Sequence, residues 1–151
     1  MNINPQAPLV AHKEKFIQAS PEIVWEIHTA IDKWPEWHPG IEVARLEGPL
    51  EAGSGFQWKS GGLSIRSTIQ VVEPNLQIGW KGRALGTRAS HLWTFKPHED
   101  GTMLITEESM EGWLVSILKL LMPRFLEESL DTWLGSLKEV AESRGSGGQE
   151  P

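Results

Sequence analysis

The chain has no cysteine and no tyrosine. Without cysteine it has no disulfide, no thiolate metal ligand and no thiol nucleophile. Without tyrosine, a proton-transfer site lacks one common acid. Positive charge is scarce: 14 Lys and Arg stand against 20 Asp and Glu, a formal net charge of −6. That balance argues against nonspecific nucleic-acid binding, which needs a basic surface. No apolar run reaches the roughly 18–20 residues of a membrane span, because Lys119 and Pro123 cut the longest one, so stable membrane insertion is not expected. The opening Met-Asn-Ile-Asn-Pro-Gln-Ala-Pro lacks the basic and apolar regions of a signal peptide. With the missing cysteines, this fits a cytoplasmic protein.

Several site motifs are missing too. Gly53-Ser54-Gly55 lacks the third glycine of a dinucleotide fingerprint and precedes a strand rather than a helix. The five histidines show no metal-ligand spacing, and there is no Gly-x-Ser-x-Gly elbow. No metal and no cofactor are expected.

What the chain has in quantity is tryptophan: eight, beside four phenylalanines, in 151 residues. Such large side chains either fill a thick core or line a cavity. At this length one domain is expected, able to bury roughly two-thirds of its unfolded surface.

From Gly112 to Ser143 the apolar period is helical. Leu114, Ile117, Leu118, Leu121, Phe125, Leu130, Trp133, Leu134, Leu137 and Val140 recur mostly at steps of three and four. Pro123 has no N–H for the carbonyl of Lys119, which predicts a kink or a fresh start there, with Pro123 in the first turn of the second segment. The run from Trp113 to Phe125 could touch a membrane or a partner through exposed apolar residues; it is read as core, since its face continues that stripe.

Earlier in the chain, residues 1–10 read as a loose arm and Ala11–Gln18 as a strand. Ser20-Pro21-Glu22 is a helix start, with Ser20 as N-cap. Asp32 offers a cap for a second short turn. From Ile41 the period changes to two. Ile41, Val43 and Leu46 form one strand, and Gly61-Gly62 suits a tight hairpin. Leu63 to Val71, Leu76 to Trp80, Leu85 to Phe95 and Leu104 to Met110 alternate likewise. The predicted fold is α+β: a curved antiparallel sheet of about seven strands round a long C-terminal helix, with two short helices after the first strand. The domain should span residues 11–143, with a flexible tail at 144–151.

This order resembles the START-like, Bet v 1-like (SRPBCC) superfamily of helix-grip proteins, in particular its polyketide cyclase/dehydrase and lipid-transport family. The similar segments are Ser20-Pro21-Glu22-Ile23-Val24-Trp25, Trp34-Pro35-Glu36-Trp37-His38-Pro39-Gly40-Ile41 and Gly55-Phe56-Gln57-Trp58. Ile69-Gln70-Val71-Val72-Glu73-Pro74, His91-Leu92-Trp93-Thr94-Phe95 and Gly101-Thr102 follow. The resemblance implies a cavity between sheet and C-terminal helix, and members that bind or carry hydrophobic molecules or process polyketides. Fold alone does not choose among these.

By alternation, the cavity side of the sheet takes Trp58, Ile65, Ile69, Trp80, His91, Trp93, Leu104, Thr106, Glu108 and Met110. The helix adds Leu118, Leu121, Met122, Phe125 and Trp133. Glu108 and His91 are the polar members. They would act as a general acid/base pair or orient a polar ligand group; otherwise His91 bonds a strand neighbour and Glu108 meets water. Trp34, Trp37 and His38 form either a hydrophobic plug or a gate. Three functions are compatible: a module binding a small, largely hydrophobic ligand such as a lipid or polyketide, a cyclase or dehydratase, and a protein-interaction module with a collapsed cavity.

Overall fold

The computed structural model describes residues 1–147. The elements run β1 (Leu9–Ile17), α1 (Pro21–Thr29), a 3-10 turn (Ile31–Lys33), α2 (Trp34–Trp37), β2 (Ile41–Glu47) and β3 (Gly55–Ser60). They continue with β4 (Leu63–Glu73), β5 (Gln77–Ala84), β6 (Thr87–His98), β7 (Gly101–Glu111), α3 (Trp113–Leu121) and α4 (Phe125–Gly147). All seven strands form one antiparallel sheet in the order β1-β7-β6-β5-β4-β3-β2. This is the helix-grip arrangement that the alternating pattern predicts.

Local chemistry explains most boundaries. Ser20 Oγ accepts from the N–H of Ile23 at 3.3 Å, and Pro21 opens α1. Gly61 and Gly62, both at positive φ, make the two-residue turn between β3 and β4. Asp32 does not cap the next helix; its Oδ1 accepts from the N–H of Leu46 at 2.7 Å and ties the short helices to β2.

Three expectations about faces are corrected. Val43 points outward, because a register shift between Ile41 and Val43 turns the strand over; Ala44 packs on the core in its place, beside Leu46. Leu85 lies in the β5–β6 turn rather than in a strand. The run from Trp113 to Phe125 is not core. Only Val115 is buried there, and Trp113, Ile117, Leu120, Leu121 and Met122 are exposed. The cause is the break at Pro123. α3 stops at Leu121, Pro123 sits in a turn before α4 rather than in its first turn, and the two helices no longer share one buried face. At the ends, Leu9 and Val10 of the expected arm already belong to β1, and the N–H of Asn4 donates to Ser109 Oγ at 3.0 Å. Of the tail expected at 144–151, the helix reaches Gly147 and residues 148–151 lie outside the described residues.

α3 is pinned at its start. The N–H of Leu114 donates to the carbonyl of Gly86 at 3.0 Å. Gly86 and Gly112 both take positive φ, and a Cβ on Gly86 would lie 2.6 Å from the Trp113 ring. A Cβ on Gly112 would strike the Gly86 carbonyl. Only glycine fits either position.

α4 presents Leu126, Leu130, Trp133, Leu134, Leu137 and Ala141 to the interior, all buried. The helix packs mainly against β1 and α1. Leu137→Ala should therefore cost about 2–5 kcal/mol of stability. Leu120→Ala, at a site 83% exposed, should change it by less than about 0.5 kcal/mol. Urea unfolding of both variants checks the contrast, and equal midpoints would refute this account of the two helices.

Candidate functional site

The space between the sheet and α4 has two halves. The inner half is filled. Trp34, Phe56, Trp80, Trp93 and Phe95 are buried there with Trp133 of α4. Ring centroids stand 5.0 Å apart for Trp34 and Trp133, 5.5 Å for Trp93 and Trp133, and 5.5 Å for Trp34 and Phe56. Most of these pairs meet edge to face, as aromatic quadrupoles prefer. Trp34 is thus a plug, and the buried His38 ring meets Trp133 at 4.5 Å. His28 lies at the centre of the cluster, edge-on to Trp93 at 4.5 Å. Among the described residues neither of its ring nitrogens has a hydrogen-bond partner, nor has Nε1 of Trp93. Burial holds the His28 pKa down to about 3, so this ring is neutral.

The outer half holds a cavity of about 90 Å³, small beside the roughly 300–1,000 Å³ of common ligand pockets. Its inner wall is Trp58, Trp80 and Trp133. Leu63, Ile65 and Ser67 come from β4, and Glu108 and Met110 from β7. Phe125, Leu126 and Ser129 close it from α4, and Ala84 and Thr87 flank the β5–β6 turn. The indole N–H of Trp58 donates to Ser67 Oγ at 3.1 Å, which holds that wall in place.

Of the residues expected here, Trp58, Ile65, Trp80, Glu108, Met110, Phe125 and Trp133 line the cavity. Ile69, Trp93, Leu104 and Thr106 do not; they are packed into the core. His91 lies behind the wall, buried, with its ring 5.1 Å from Trp80. Leu118 is half-buried, and Leu121 and Met122 face solvent on α3 and its end. Sequence reasoning passed over Ser67 and Ser129. The signal was present: Ser67 alternates with Ile65 and Ile69, and Ser129 stands one helical turn from both Phe125 and Trp133.

Glu108 and His91 are brought together by register, as direct cross-strand partners on β7 and β6. His91 Nε2 and Thr106 Oγ1 share a hydrogen bond of 2.8 Å. His91 Nδ1 stands 3.6 Å from Glu108 Oε1, too far for a hydrogen bond. Burial, then the neighbouring His28, pushes the His91 pKa well down. Burial pushes the Glu108 pKa up to about 8. Both groups are therefore mostly neutral at pH 7, and the pair is not an ion pair. The Glu108 side chain is 14% exposed. What the arrangement supplies is a neutral carboxylic acid in an apolar wall, able to donate one hydrogen bond and accept another.

The raised pKa has a stability consequence. Between the ordinary value of 4.5 and about 8 the folded state holds a proton on Glu108 that the unfolded state has released. Stability from this group is then greatest below the lower value and falls as pH rises. Relative to Glu108→Gln, the protein should lose up to about 1.4 kcal/mol per pH unit across this window. Urea unfolding of both proteins from pH 5 to 8.5 tests it, and a pH-independent difference would rule it out.

Solved structures share this architecture. A hypothetical protein from Helicobacter pylori superposes with a TM-score of 0.81 at 15% identity, over 91% of this chain and 90% of that one. The Zhui aromatase/cyclase from Streptomyces sp. R1128 gives 0.79 at 13% identity, covering 90% of this chain and 94% of its own. A START superfamily protein from Mycobacterium smegmatis gives 0.72 at 19% identity, covering 89% and 97%. At such identities the likeness is one of fold. No curated protein matches the chain by sequence. The family model described as polyketide cyclase / dehydrase and lipid transport matches residues 9–142, from the start of β1 into the last turns of α4, and the chain belongs to that family.

Proposed function

We propose that the protein binds a small, largely hydrophobic ligand of lipid or polyketide type in the cavity between sheet and α4, anchored by Glu108. The observation that carries this reading is the neutral carboxyl of Glu108. It stands in the wall of an apolar cavity, 3.6 Å from His91 Nδ1, with no hydrogen-bond partner among the described residues. An acid that burial keeps protonated suits a ligand carbonyl or hydroxyl, and Ser67 and Ser129 add further polar handles beside apolar walls. The family and the neighbouring folds support a ligand-binding cavity. The cavity's small volume limits the ligand to a compact ring system, or to a chain whose remainder extends past Phe125.

A second reading is a cyclase- or dehydratase-type enzyme in the same cavity. It draws on the Glu108 pKa of about 8, close to the value suited to proton transfer at neutral pH. His91 then has no direct part, because it does not reach the cavity surface. It would be a positioning residue behind Glu108. The aromatic cluster supports a third reading, a collapsed interaction module, for the inner half of the interior only. The polar-edged outer half favours ligand binding.

Native mass spectrometry of gently purified protein, with tryptophan quenching by 2-naphthol and by decanoic acid, tests the binding. We expect saturable quenching through Trp58, Trp80 and Trp133, weakened about 5- to 30-fold in Glu108→Leu as one buried hydrogen bond is lost. Unchanged affinity in that variant would remove Glu108 as the anchor, and absence of binding would return the case to the interaction module. If turnover of a bound polyketide is found, Glu108 acting as acid requires the rate to fall as pH rises through about 8.

A further inference from the structure

α3 leaves much of its circumference without a partner. Trp113, Ile117, Leu120 and Leu121 recur at steps of four, three and one, so they form one stripe. Their exposures are 60%, 44%, 83% and 74%. Leu85, 69% exposed at the tip of the β5–β6 turn, stands beside this stripe because the adjacent Gly86 packs on the Trp113 ring. Met122, 50% exposed, follows just past the helix end. Six large apolar side chains thus crowd one end of the molecule.

The same end is basic. On the outer face of the sheet, register sets Arg66 opposite Arg83 and Arg83 opposite Arg88. Like charges placed directly opposite work against the sheet. Lys81 occupies the next row, opposite Thr68 and Ser90. These four cations line one groove, which leads to the turn bearing Leu85. Carboxylates meet only the flanks of the row: Glu47 stands 3.7 Å from Arg66, and Glu111 stands 3.6 Å from Arg88. Among the described residues no carboxylate lies within ion-pair distance of Arg83 or Lys81. The only charged residue of α3 is Lys119. In a chain of net charge −6, this concentration of positive charge beside exposed leucine and tryptophan is a local exception.

We propose that the exposed stripe of α3, the Leu85 tip and the arginine row behind them form a docking surface for an anionic lipid membrane. Apolar side chains with a tryptophan enter the headgroup boundary, and the lysine and arginine side chains meet anionic headgroups. A nine-residue helix is too short to cross, so α3 lies in the plane of the interface. A second copy of this chain is a poorer occupant, since two such ends would bring their unpaired cations together. Ala84, Thr87 and Phe125 at the cavity edge belong to this end, so docking sets the cavity's edge against lipid. The docking surface stands whatever the cavity binds, and its test uses no cavity ligand.

The test is co-sedimentation of the whole protein with vesicles of phosphatidylcholine containing roughly one-third phosphatidylglycerol, against pure phosphatidylcholine vesicles. The anionic vesicles should bind the protein, and binding should weaken as salt is raised. Leu120→Ser with Leu121→Ser should lower affinity at least about tenfold. Lys81→Gln with Arg83→Gln should lower it several-fold. Unchanged urea midpoints would show that both variants still fold. Failure of the wild type to sediment with anionic vesicles, or equal binding by the leucine variant, overturns the proposal. So does a wild-type dimer in light scattering that the leucine variant converts to monomer, since a second copy would then own the surface. Equal binding to both vesicle types would remove the role of charge and overturn it as stated.

Discussion

Trp133 is the side chain on which the interior turns. It projects from the middle of α4 into a ring of side chains drawn from α1, the short helical corner and the sheet. It meets His28, Trp34, Trp37, His38, Trp58, His91 and Trp93 with centroid separations from 4.5 to 6.3 Å. A helix held at one such point divides the space beneath it. On one side buried aromatic rings fill the gap. On the other, toward Phe125, a cavity remains. The cluster tolerates a cost to do this: His28 and Trp93 bury ring nitrogens without partners among the described residues, each worth about 1–3 kcal/mol against folding.

The same wall sets the chemistry beside it. Trp80 and Trp93 strip water from His91, and the apolar lining does so for Glu108. Desolvation moves the two pKa values in opposite directions, one down and one up. Both groups end neutral, although register places them face to face. Packing therefore decides that the two stand as neutral groups rather than as an ion pair. The separation of His91 from the cavity surface follows from the same stacking, since Trp80 and Glu108 stand in front of it.

Much of this was legible in the sequence, and the gaps have physical causes. Alternation assigned the inner face of β6, of β7 and of β4 as far as Ile69 correctly, because each keeps a period of two there; past Ile69 a register shift turns β4 over, and Val72 rather than Val71 packs on the core. Alternation failed at Val43, where one register shift inverts a face. It could not separate cavity-lining Trp58 and Met110 from core residues Trp93 and Leu104, since all four share a face and differ only in depth. Helical period likewise joined α3 to α4, but period alone does not say that a partner exists. The turn at Pro123 redirects the chain, and the stripe of Leu120 and Leu121 meets none. Tryptophan abundance pointed to both core and cavity, and the interior contains both.

The order of the strands has a consequence for how the chain is made. β1 pairs with β7 along its whole length, from Leu9 opposite Met110 to Ile17 opposite Thr102. The first strand to leave the ribosome thus finds its hydrogen-bonding partner only after the last strand has emerged. α4, which covers the same edge, comes later still. Until then β1 is an unpaired edge with apolar residues at alternate positions, open to wrong partners. Its charges, on Lys13, Glu14 and Lys15, interrupt that apolar pattern. They keep a strand in solution through the interval in which it has nothing to pair with.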